Sequence, residues 1–291
     1  MQTLRYILTT ARPRQWVKNV LVFAGLVFAR DVFVIDKLSS AIIAFVYFCL
    51  VSSSVYLIND VFDRKKDARH PVKKHRPLAA GKLSPVSAII AALVFMTIAL
   101  IGGYFYNVYL TVVFAAYLFL NILYSFYLKR IVILDVMIIA SGFMFRAVGG
   151  TLAINEPISS WFLLCALFLA LFLALSKRKA EILSLGKEAG STRPSLHQYQ
   201  GQFLDQILTI VTTSCLMSYA LYTLDEQTVE KFGNQNLLWT LPFVIYGLFR
   251  YVYLVYNKNS GETPETVIFK DRSLFAAILL YILSIFFIIY L

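Results

Sequence analysis

The residues of this chain best suited to chemistry are one Asn and three Asp side chains that directly follow the apolar run 41–58. These four residues, here called the acidic row, are Asn59, Asp60, Asp63 and Asp67. If the helix of the apolar run continues, Asn59, Asp63 and Asp67 are spaced by four residues and lie on one helical face. Carboxylate and amide oxygens are hard ligands, and proteins usually bind Mg²⁺ through one or two carboxylates together with substrate phosphates. The acidic row therefore predicts a magnesium site that accepts a diphosphate.

The acidic row has two other possible interpretations. It could be a solvated helix end, in which acids and bases form i,i+4 pairs and have no further function. An EF-hand is excluded, because its calcium loop needs acids at alternate positions and a central glycine. The helical spacing leaves the magnesium site and the solvated helix end as the two alternatives.

A basic segment, 70–82, follows the acidic row. Its prolines and its glycine are typical of turns. Lys73 and Arg76 are predicted to bind phosphate oxygens, and the Arg guanidinium can do so through two parallel hydrogen bonds. For the remaining lysines of this segment we favour a role in setting membrane topology.

A second charged cluster consists of Lys177, Arg178 and Glu181 and, like the acidic row, ends an apolar run. Its i,i+3 and i,i+4 spacings are explained by helical salt bridges alone. The alternative is that the cluster faces the acidic row across a cavity, with its bases directed at phosphate. The residues themselves leave both possibilities open.

Arg146 lies deep in an apolar stretch. A charge at membrane depth costs about 2.5–3.5 kcal/mol on insertion scales, so such a residue usually faces a polar cavity. Asp135 lies eleven residues earlier on nearly the same helical face, about 16 Å away at 1.5 Å per residue. We expect the two to line one cavity at different depths. Snorkelling of Arg146 to the interface is the alternative, and the central position of Arg146 argues against it.

Two weaker signals complete the candidate set. Lys18 belongs to the basic and aromatic segment 12–19, which is also typical of an interfacial anchor. Tyr124 and Lys129 end another apolar run and could belong to an aromatic belt or contact a ligand.

The elements that must position these residues are membrane spans. Hydrophobic residues make up 59% of the chain and charged residues 15%, whereas soluble domains are about 45–50% apolar. The net charge of +11 is explained by basic loops that set topology, and nucleic acid is not predicted as a partner. The three cysteines lie inside apolar runs and are interpreted as core residues. Nine spans of roughly 20 residues are predicted. They are 16–34, 38–58, 85–106, 108–128, 132–152, 159–176, 206–224, 236–256 and 272–291.

Lys and Arg concentrate in alternate connections, above all in 59–84 and 177–205. The positive-inside rule then places the N-terminus and these connections in the cytoplasm, and nine spans place the C-terminus outside. No cleavable signal peptide is evident at the N-terminus. We expect a multi-pass protein of the inner (plasma) membrane with a cytoplasmic site.

The acidic row has the form N-D-x-x-D-x-x-x-D and resembles the first signature of the UbiA superfamily of intramembrane prenyltransferases. The segments 12–19, 70–81 and 141–147, with the Lys177 cluster, are similar to its decaprenyl-phosphate phosphoribosyltransferase branch. The resemblance implies an all-α bundle of about nine transmembrane helices around a central cavity open to the cytoplasm and the bilayer. It implies a single domain, 1–291, with loops 59–84 and 177–205 covering the cavity, and a possible homotrimer.

The resemblance also implies a reaction. A 5-phosphoribosyl group would move from phosphoribosyl diphosphate to a polyprenyl (decaprenyl-type) phosphate, releasing diphosphate, in cell-wall precursor synthesis. Asn59, Asp63 and Asp67 would hold Mg²⁺ and act as the catalytic residues. The remaining candidates would bind substrate: Lys18, Asp60, Lys73, Arg76, Tyr124, Lys129, Asp135, Arg146, Lys177, Arg178 and Glu181.

Aromatic prenyltransferases of the superfamily carry a second Asp-rich motif after the sixth helix. This chain has the mostly cationic cluster of Lys177, Arg178 and Glu181 at that place, which favours direct binding of phosphate by bases. One alternative is a prenyltransferase that moves a polyprenyl group from its diphosphate to an aromatic acceptor. Another is a transporter or lipid flippase, which would need no ribosyl transfer and would use Arg146 in a translocation path.

Overall fold

The computed structural model describes residues 2–70, 72–185, 198–199, 202–257 and 264–291. All regular secondary structure in these residues is helical, which confirms the predicted all-α class. The chain forms two compact units. The first consists of Met1–Tyr127 and Phe145–Ile158, and the second of Leu128–Met144 and Ser159–Leu291.

The first unit is built on three long helices and several shorter pieces. Capping residues define where two of its helices begin: the Ser84 hydroxyl accepts the N–H of Ser87, and the Asn107 side chain accepts the N–H of Tyr109. Both caps satisfy amide groups that a helix start leaves unpaired. The elements are α1 (Gln2–Ala11), a 3₁₀ helix (Pro13–Phe23), α2 (Ala24–Phe28), α3 (Ile35–Asp67), a 3₁₀ turn (Lys73–His75), α4 (Pro85–Tyr106), α5 (Val108–Phe126) and the second half of α6 (Leu134–Ala153).

The second unit contains the first half of α6 and all later helices. The carboxylates of Asp225 and Asp271 each cap a helix start by accepting a backbone N–H three residues later. The elements are a 3₁₀ turn (Leu128–Arg130), α7 (Ser160–Leu185), α8 (Gln202–Leu224), α9 (Glu226–Phe232), a 3₁₀ helix (Asn236–Thr240), α10 (Leu241–Asn257), α11 (Pro264–Lys270) and α12 (Arg272–Tyr290).

Eight helical stretches of the described chain are long and apolar enough to cross a membrane. They are α3, α4, α5, α6, α7, α8, α12 and the continuous stretch Asn236–Asn257. Large apolar side chains are exposed along them, as on α4, where Phe105 is 83% exposed. Such a surface suits lipid as the solvent, because helices satisfy their own backbone hydrogen bonds there. The predicted multi-pass membrane protein is confirmed.

The predicted first span, 16–34, is not one continuous helix. It consists of the 3₁₀ helix Pro13–Phe23 and the short α2. The backbone is left-handed at Arg12 (φ 55°), just before the 3₁₀ helix, and at Arg30 (φ 68°), just after α2. Sequence hydropathy suggested a span here because the segment is apolar. Its buried residues are Asn19, Val22, Gly25 and Leu26, whereas Val17 and Val20 are exposed.

The two predicted connections 59–84 and 177–205 begin as helix. Helix α3 runs on through Asp67, nine residues past the predicted end of its span, and α7 runs on through Leu185. Continuation of α3 is the condition under which the acidic row shares one helical face. Both charged clusters therefore sit on helices, which fixes their side-chain directions better than a loop would.

Glycines of α6 bring its backbone against the 3₁₀ helix within the first unit. A Cβ atom added at Gly150 would lie 2.0 Å from the carbonyl oxygen of Val22. One at Gly149 would lie 2.6 Å from the ring of Phe48, which packs edge-on against Phe114. These small residues therefore allow close packing, as small residues do in membrane helix interfaces.

Candidate active site

The acidic row occupies a narrow strip of α3. At about 100° of rotation per residue, its four side chains fall within an arc of about 100°. Asp60 and Asp67 are buried, with 2% and 3% of their surface exposed, while Asn59 and Asp63 are partly buried. The row therefore has a buried edge, formed by Asp60 and Asp67, and a more accessible edge.

Two arginines neutralise the buried edge. Nη2 of Arg12 lies 2.5 Å from Oδ1 of Asp60, and Nη1 of Arg76 lies 3.1 Å from the same oxygen. Nη1 of Arg76 also donates to Oδ2 of Asp67 at 2.6 Å. The guanidinium of Arg12 stacks over the ring of Tyr56, 4.9 Å from its centroid. Buried carboxylates need such partners, because an unpaired charge is expensive to remove from water.

The donor set of the row fits Mg²⁺ held jointly with a substrate. Its carboxylate and amide oxygens are the hard ligands that Mg²⁺ prefers. Within the described part of the chain, no three or more His, Cys, Asp or Glu side chains are arranged to hold a metal ion by themselves. Mg²⁺ sites typically combine one or two carboxylates with waters and substrate phosphates. The row is therefore suited to a metal that arrives with a diphosphate.

Arg146 is the centre of a second polar cluster in the first unit. It is 4% exposed. Its Nε donates to Oδ1 of Asn19 at 2.6 Å, and its Nη2 donates to the hydroxyl of Tyr117 at 3.0 Å. Asn19 in turn donates to the hydroxyl of Ser52 at 3.3 Å and to the sulfur of Cys49 at 3.2 Å. Arg146 is thus buried among polar groups and does not snorkel.

A third cluster, in the second unit, surrounds Arg178. Its Nε donates to Oδ2 of Asp135 at 3.0 Å, and its Nη1 donates to Oε2 of Glu181 at 2.5 Å. Arg178 is 1% exposed and Asp135 is fully buried. The predicted i,i+3 salt bridge between Arg178 and Glu181 is confirmed, and Asp135 is an additional partner 43 residues away.

Tyr199 completes this third cluster. Its hydroxyl donates to Oδ1 of Asp135 at 2.7 Å and accepts the N–H of Ile133 at 2.8 Å. Burial, and then the neighbouring Asp135 carboxylate, raise the pKa of the Tyr199 phenol well above its usual value. The hydroxyl therefore keeps its proton at neutral pH and serves as a fixed donor to Asp135.

The other predicted site residues are partly buried. Lys18 lies in the 3₁₀ helix Pro13–Phe23, Lys73 in the 3₁₀ turn after α3 and Tyr124 near the end of α5. Lys129 lies in the 3₁₀ turn before α6, and Lys177 lies on α7. A cavity shared by Asp135 and Arg146, and one between the acidic row and the Lys177 cluster, stay predictions.

Several residues that the sequence did not assign to the site take part in these clusters. Among them are Arg12, Asn19, Tyr117 and Tyr199, each bonded directly to a predicted site residue. Asn19 could have been noticed as an amide inside an apolar segment. Arg12 lies in a segment that was singled out as an interfacial anchor. Tyr117 and Tyr199 carry no sequence signal, because the chain has 18 tyrosines.

The sequence of this chain is similar to the sequences of known membrane transferases. Residues 19–279 match the model of the UbiA prenyltransferase family. Decaprenyl-phosphate phosphoribosyltransferase of Mycolicibacterium smegmatis is 34% identical over 92% of this chain and 87% of its own length. The protein of that name from Corynebacterium glutamicum is 37% identical over 90% of this chain and 80% of its own length.

The fold is shared with a solved UbiA homologue from Archaeoglobus fulgidus bound to GPP and Mg²⁺. The TM-score is 0.73 at 18% identity, over 98% of this chain and all of the homologue. At that identity the likeness concerns the fold alone. The match over most of the chain and the two relatives above 30% identity confirm the resemblance read from the acidic row, and the chain belongs to the UbiA prenyltransferase family.

Proposed function

We propose that this protein transfers a 5-phosphoribosyl group from phosphoribosyl diphosphate to a polyprenyl phosphate of the decaprenyl type. The products are polyprenyl-phosphoryl-5-phosphoribose and diphosphate. The observation that carries the proposal is the similarity to decaprenyl-phosphate phosphoribosyltransferases at 34–37% identity over about nine tenths of the chain. The acidic row is compatible with it, since the donor carries a diphosphate.

The diphosphate end of the donor is assigned to the first unit. Asn59, Asp63 and Asp67 would hold Mg²⁺, which when bound supplies positive charge at the leaving diphosphate. Arg76 is held beside the acidic row by its ion pairs with Asp60 and Asp67, so it can contact phosphate oxygens from that position. Lys73 begins the 3₁₀ turn of the same segment. Donors placed where charge develops lower the barrier most effectively when they are fixed in advance.

The bond changes are simple. The bond between C1 of the ribose and the diphosphate oxygen breaks, and its electron pair leaves with the diphosphate. An oxygen of the lipid phosphate forms the new bond to C1. That oxygen is already ionised at neutral pH, so no strong general base is required. The task of the protein is to orient the two substrates and to stabilise charge.

The phosphate of the transferred group or of the acceptor is assigned to Lys177, with Arg146 as a second candidate. The sequence predicts Arg178 as a third candidate. Because Arg178 is buried and bonded to two carboxylates, we propose that it holds α7 and α6 in place instead. The cationic character of the cluster therefore supports phosphoribosyl transfer less strongly than the sequence suggested, and the relatives carry the assignment.

The setting of the reaction is also part of the proposal. The site would face the cytoplasm in an inner-membrane protein, as the distribution of Lys and Arg predicts. The product would feed cell-wall precursor synthesis, and a homotrimer is the assembly that the family resemblance implies.

The test is product analysis on the purified protein in lipid nanodiscs. The protein is given phosphoribosyl diphosphate labelled in the ribose, Mg²⁺ and a polyprenyl phosphate, and the lipids are examined by mass spectrometry. We expect labelled polyprenyl-phosphoryl-5-phosphoribose, and none after chelation of Mg²⁺. A parallel reaction contains labelled prenyl diphosphate and an aromatic acceptor.

Asp63→Asn serves as the variant in this assay, with Asp36→Asn on the same helix as its control. Asp63→Asn is expected to raise the Mg²⁺ concentration needed for half-maximal turnover by at least about 10-fold, since even outer-shell changes cost about 10- to 100-fold in metal affinity. Transfer of prenyl groups to the aromatic acceptor, without ribosyl transfer, would refute the proposal. Full activity of a folded Asp63→Asn protein would refute the role of the row.

A further inference from the structure

Two guanidinium groups meet on a single carboxylate oxygen in the first unit. Arg12 reaches Oδ1 of Asp60 from the end of α1, and Arg76 reaches the same atom from the segment after α3. The two arginines come from positions 48 residues before and 16 residues after Asp60. Two like charges repel, so their convergence requires the anion between them.

Burial separates the roles of the three residues. The side chain of Asp60 is 3% exposed, whereas those of Arg12 and Arg76 are 26% and 27% exposed. A carboxylate that is buried and shared by two guanidinium groups is poorly placed to contact a ligand. The arginines, in contrast, present part of their surface outward from a fixed anchor.

Arg12 is held in place by more than its ion pair. Its backbone is in the left-handed region (φ 55°), and Pro13 follows it. Its guanidinium also stacks on the ring of Tyr56. Non-glycine residues in this backbone region are uncommon and concentrate at functional sites. Such restraint lowers the entropy that a ligand contact would otherwise cost.

Hydrogen-bond donors remain available on both arginines. A guanidinium has five N–H donors. Arg12 uses Nη2 and Arg76 uses Nη1 in their bonds to the carboxylates, and the described residues engage no other donor of either group. Asp60 lies beside Asn59 and three residues before Asp63, so these donors flank the predicted magnesium site. Paired guanidinium groups of this kind suit the oxygens of a diphosphate.

We propose that Arg12 is a diphosphate-binding residue that acts with Arg76 as a two-arginine clamp, and that Asp60 is the positioning residue that holds both. The identity of the ligand rests on the proposed function. Asp60 then serves the donor without touching it, and the basic segment 12–19 contributes a substrate contact in addition to its place at the membrane surface.

The experiment measures the binding of magnesium diphosphate, the expected product, to the full chain in lipid nanodiscs by titration calorimetry. Arg12→Gln is expected to weaken binding about 10- to 100-fold, the effect of losing hydrogen bonds to a charged group. Arg14→Gln, an exposed base two residues away, is the matched control and should leave the dissociation constant within about twofold. Thermal unfolding of each variant reports whether the fold is retained.

A double-mutant cycle tests the positioning role. Because Asp60 acts by holding the arginines, Asp60→Asn should weaken binding at least as much as Arg12→Gln, and the double variant should bind like Asp60→Asn alone. Arg12→Lys keeps the charge that Asp60 requires but lacks the guanidinium fork, so a folded Arg12→Lys protein should still bind diphosphate more weakly than the wild type.

The outcomes separate the clamp from the proposed function. Unchanged diphosphate affinity in Arg12→Gln or Arg12→Lys, even with reduced thermal stability, would overturn the clamp and leave Arg12 as a tie between α1 and α3. Independent, multiplicative effects of Arg12→Gln and Asp60→Asn would overturn the positioning role. If the wild-type protein bound no magnesium diphosphate while remaining folded, the proposed function would fail and the clamp with it.

Discussion

Removing the charge of Asp135 distinguishes a structural role from a substrate contact. Asp135→Asn keeps the shape of the side chain and an oxygen that can accept from Tyr199, but it removes the negative charge that faces Arg178 at 3.0 Å. Breaking a buried ion pair by removing one partner costs about 3–5 kcal/mol. Glu181 remains beside Arg178 and is itself 23% exposed at its side chain. We therefore expect a loss at the lower end of that range, about 3 kcal/mol.

The assay is unfolding of the purified protein in detergent, by heat and by a denaturing detergent. The unfolding entropy is about 2.1 cal/mol/K per residue. If all 291 residues unfold together, a loss of about 3 kcal/mol in stability lowers the Tm by about 5 °C. Asp205→Asn is the control in the same unit. Its partner Lys179 lies 2.6 Å away, but the Asp205 side chain is 42% exposed. Such a pair contributes about 0–1 kcal/mol.

The cycle with Arg178→Met completes the test. If the pair is structural, the double variant Asp135→Asn and Arg178→Met should recover at least half of the stability lost in Asp135→Asn, because no charge is left buried without its partner. The reasoning would be refuted by an Asp135→Asn protein with wild-type stability and a higher KM for phosphoribosyl diphosphate. That result would return Asp135 to the substrate-binding set.

Two further outcomes test the packing around the 3₁₀ helix. Asn19→Ala removes the oxygen that accepts from Nε of Arg146. In the same unfolding assay the variant should lose about 1.5–3 kcal/mol of stability, the value of a hydrogen bond to a charged group. A loss of stability below about 0.5 kcal/mol would contradict the contact. Gly150→Ala should lower the Tm, because the added Cβ meets the backbone oxygen of Val22 at 2.0 Å. A Cβ at Gly247 would have no atom within 4 Å, so Gly247→Ala should stabilise its helix by about 0.5–1 kcal/mol. An equal change in Tm for the two alanine variants would count against the close approach of Gly150 to Val22.

The sequence predicted those features that depend on local spacing. Membrane helices follow from apolar runs, and eight of the nine predicted spans are present as helices. The shared face of the acidic row followed from continuing α3 beyond the apolar run. The burial of Arg146 among polar groups followed from the cost of a charge at membrane depth.

Features that depend on distant partners were not predictable. The close approach of the 3₁₀ helix Pro13–Phe23 to α6 depends on Gly150, which lies more than 120 residues after Val22 in the chain. Binding of phosphate by Arg178 stays a prediction. Its partner Asp135 is 43 residues away, and nothing in either local sequence pairs the two. Arg12 and Asp60 illustrate the same limit at a separation of 48 residues.

The pairing of Asn19 with Arg146 has a consequence for the order in which contacts can form while the chain is made. The two residues are separated by 127 positions, and at 5–20 residues per second a ribosome needs about 6–25 seconds to make that length. During this interval Pro13–Phe23 has been synthesised, but the α6 surface that receives it has not. The contacts of Asn19 with Cys49 and Ser52 of α3 are therefore available before its contact with Arg146. The bond from Arg146 to Asn19 is thus among the last contacts of the first unit to become possible, because Phe145–Ile158 is the part of that unit that is made last.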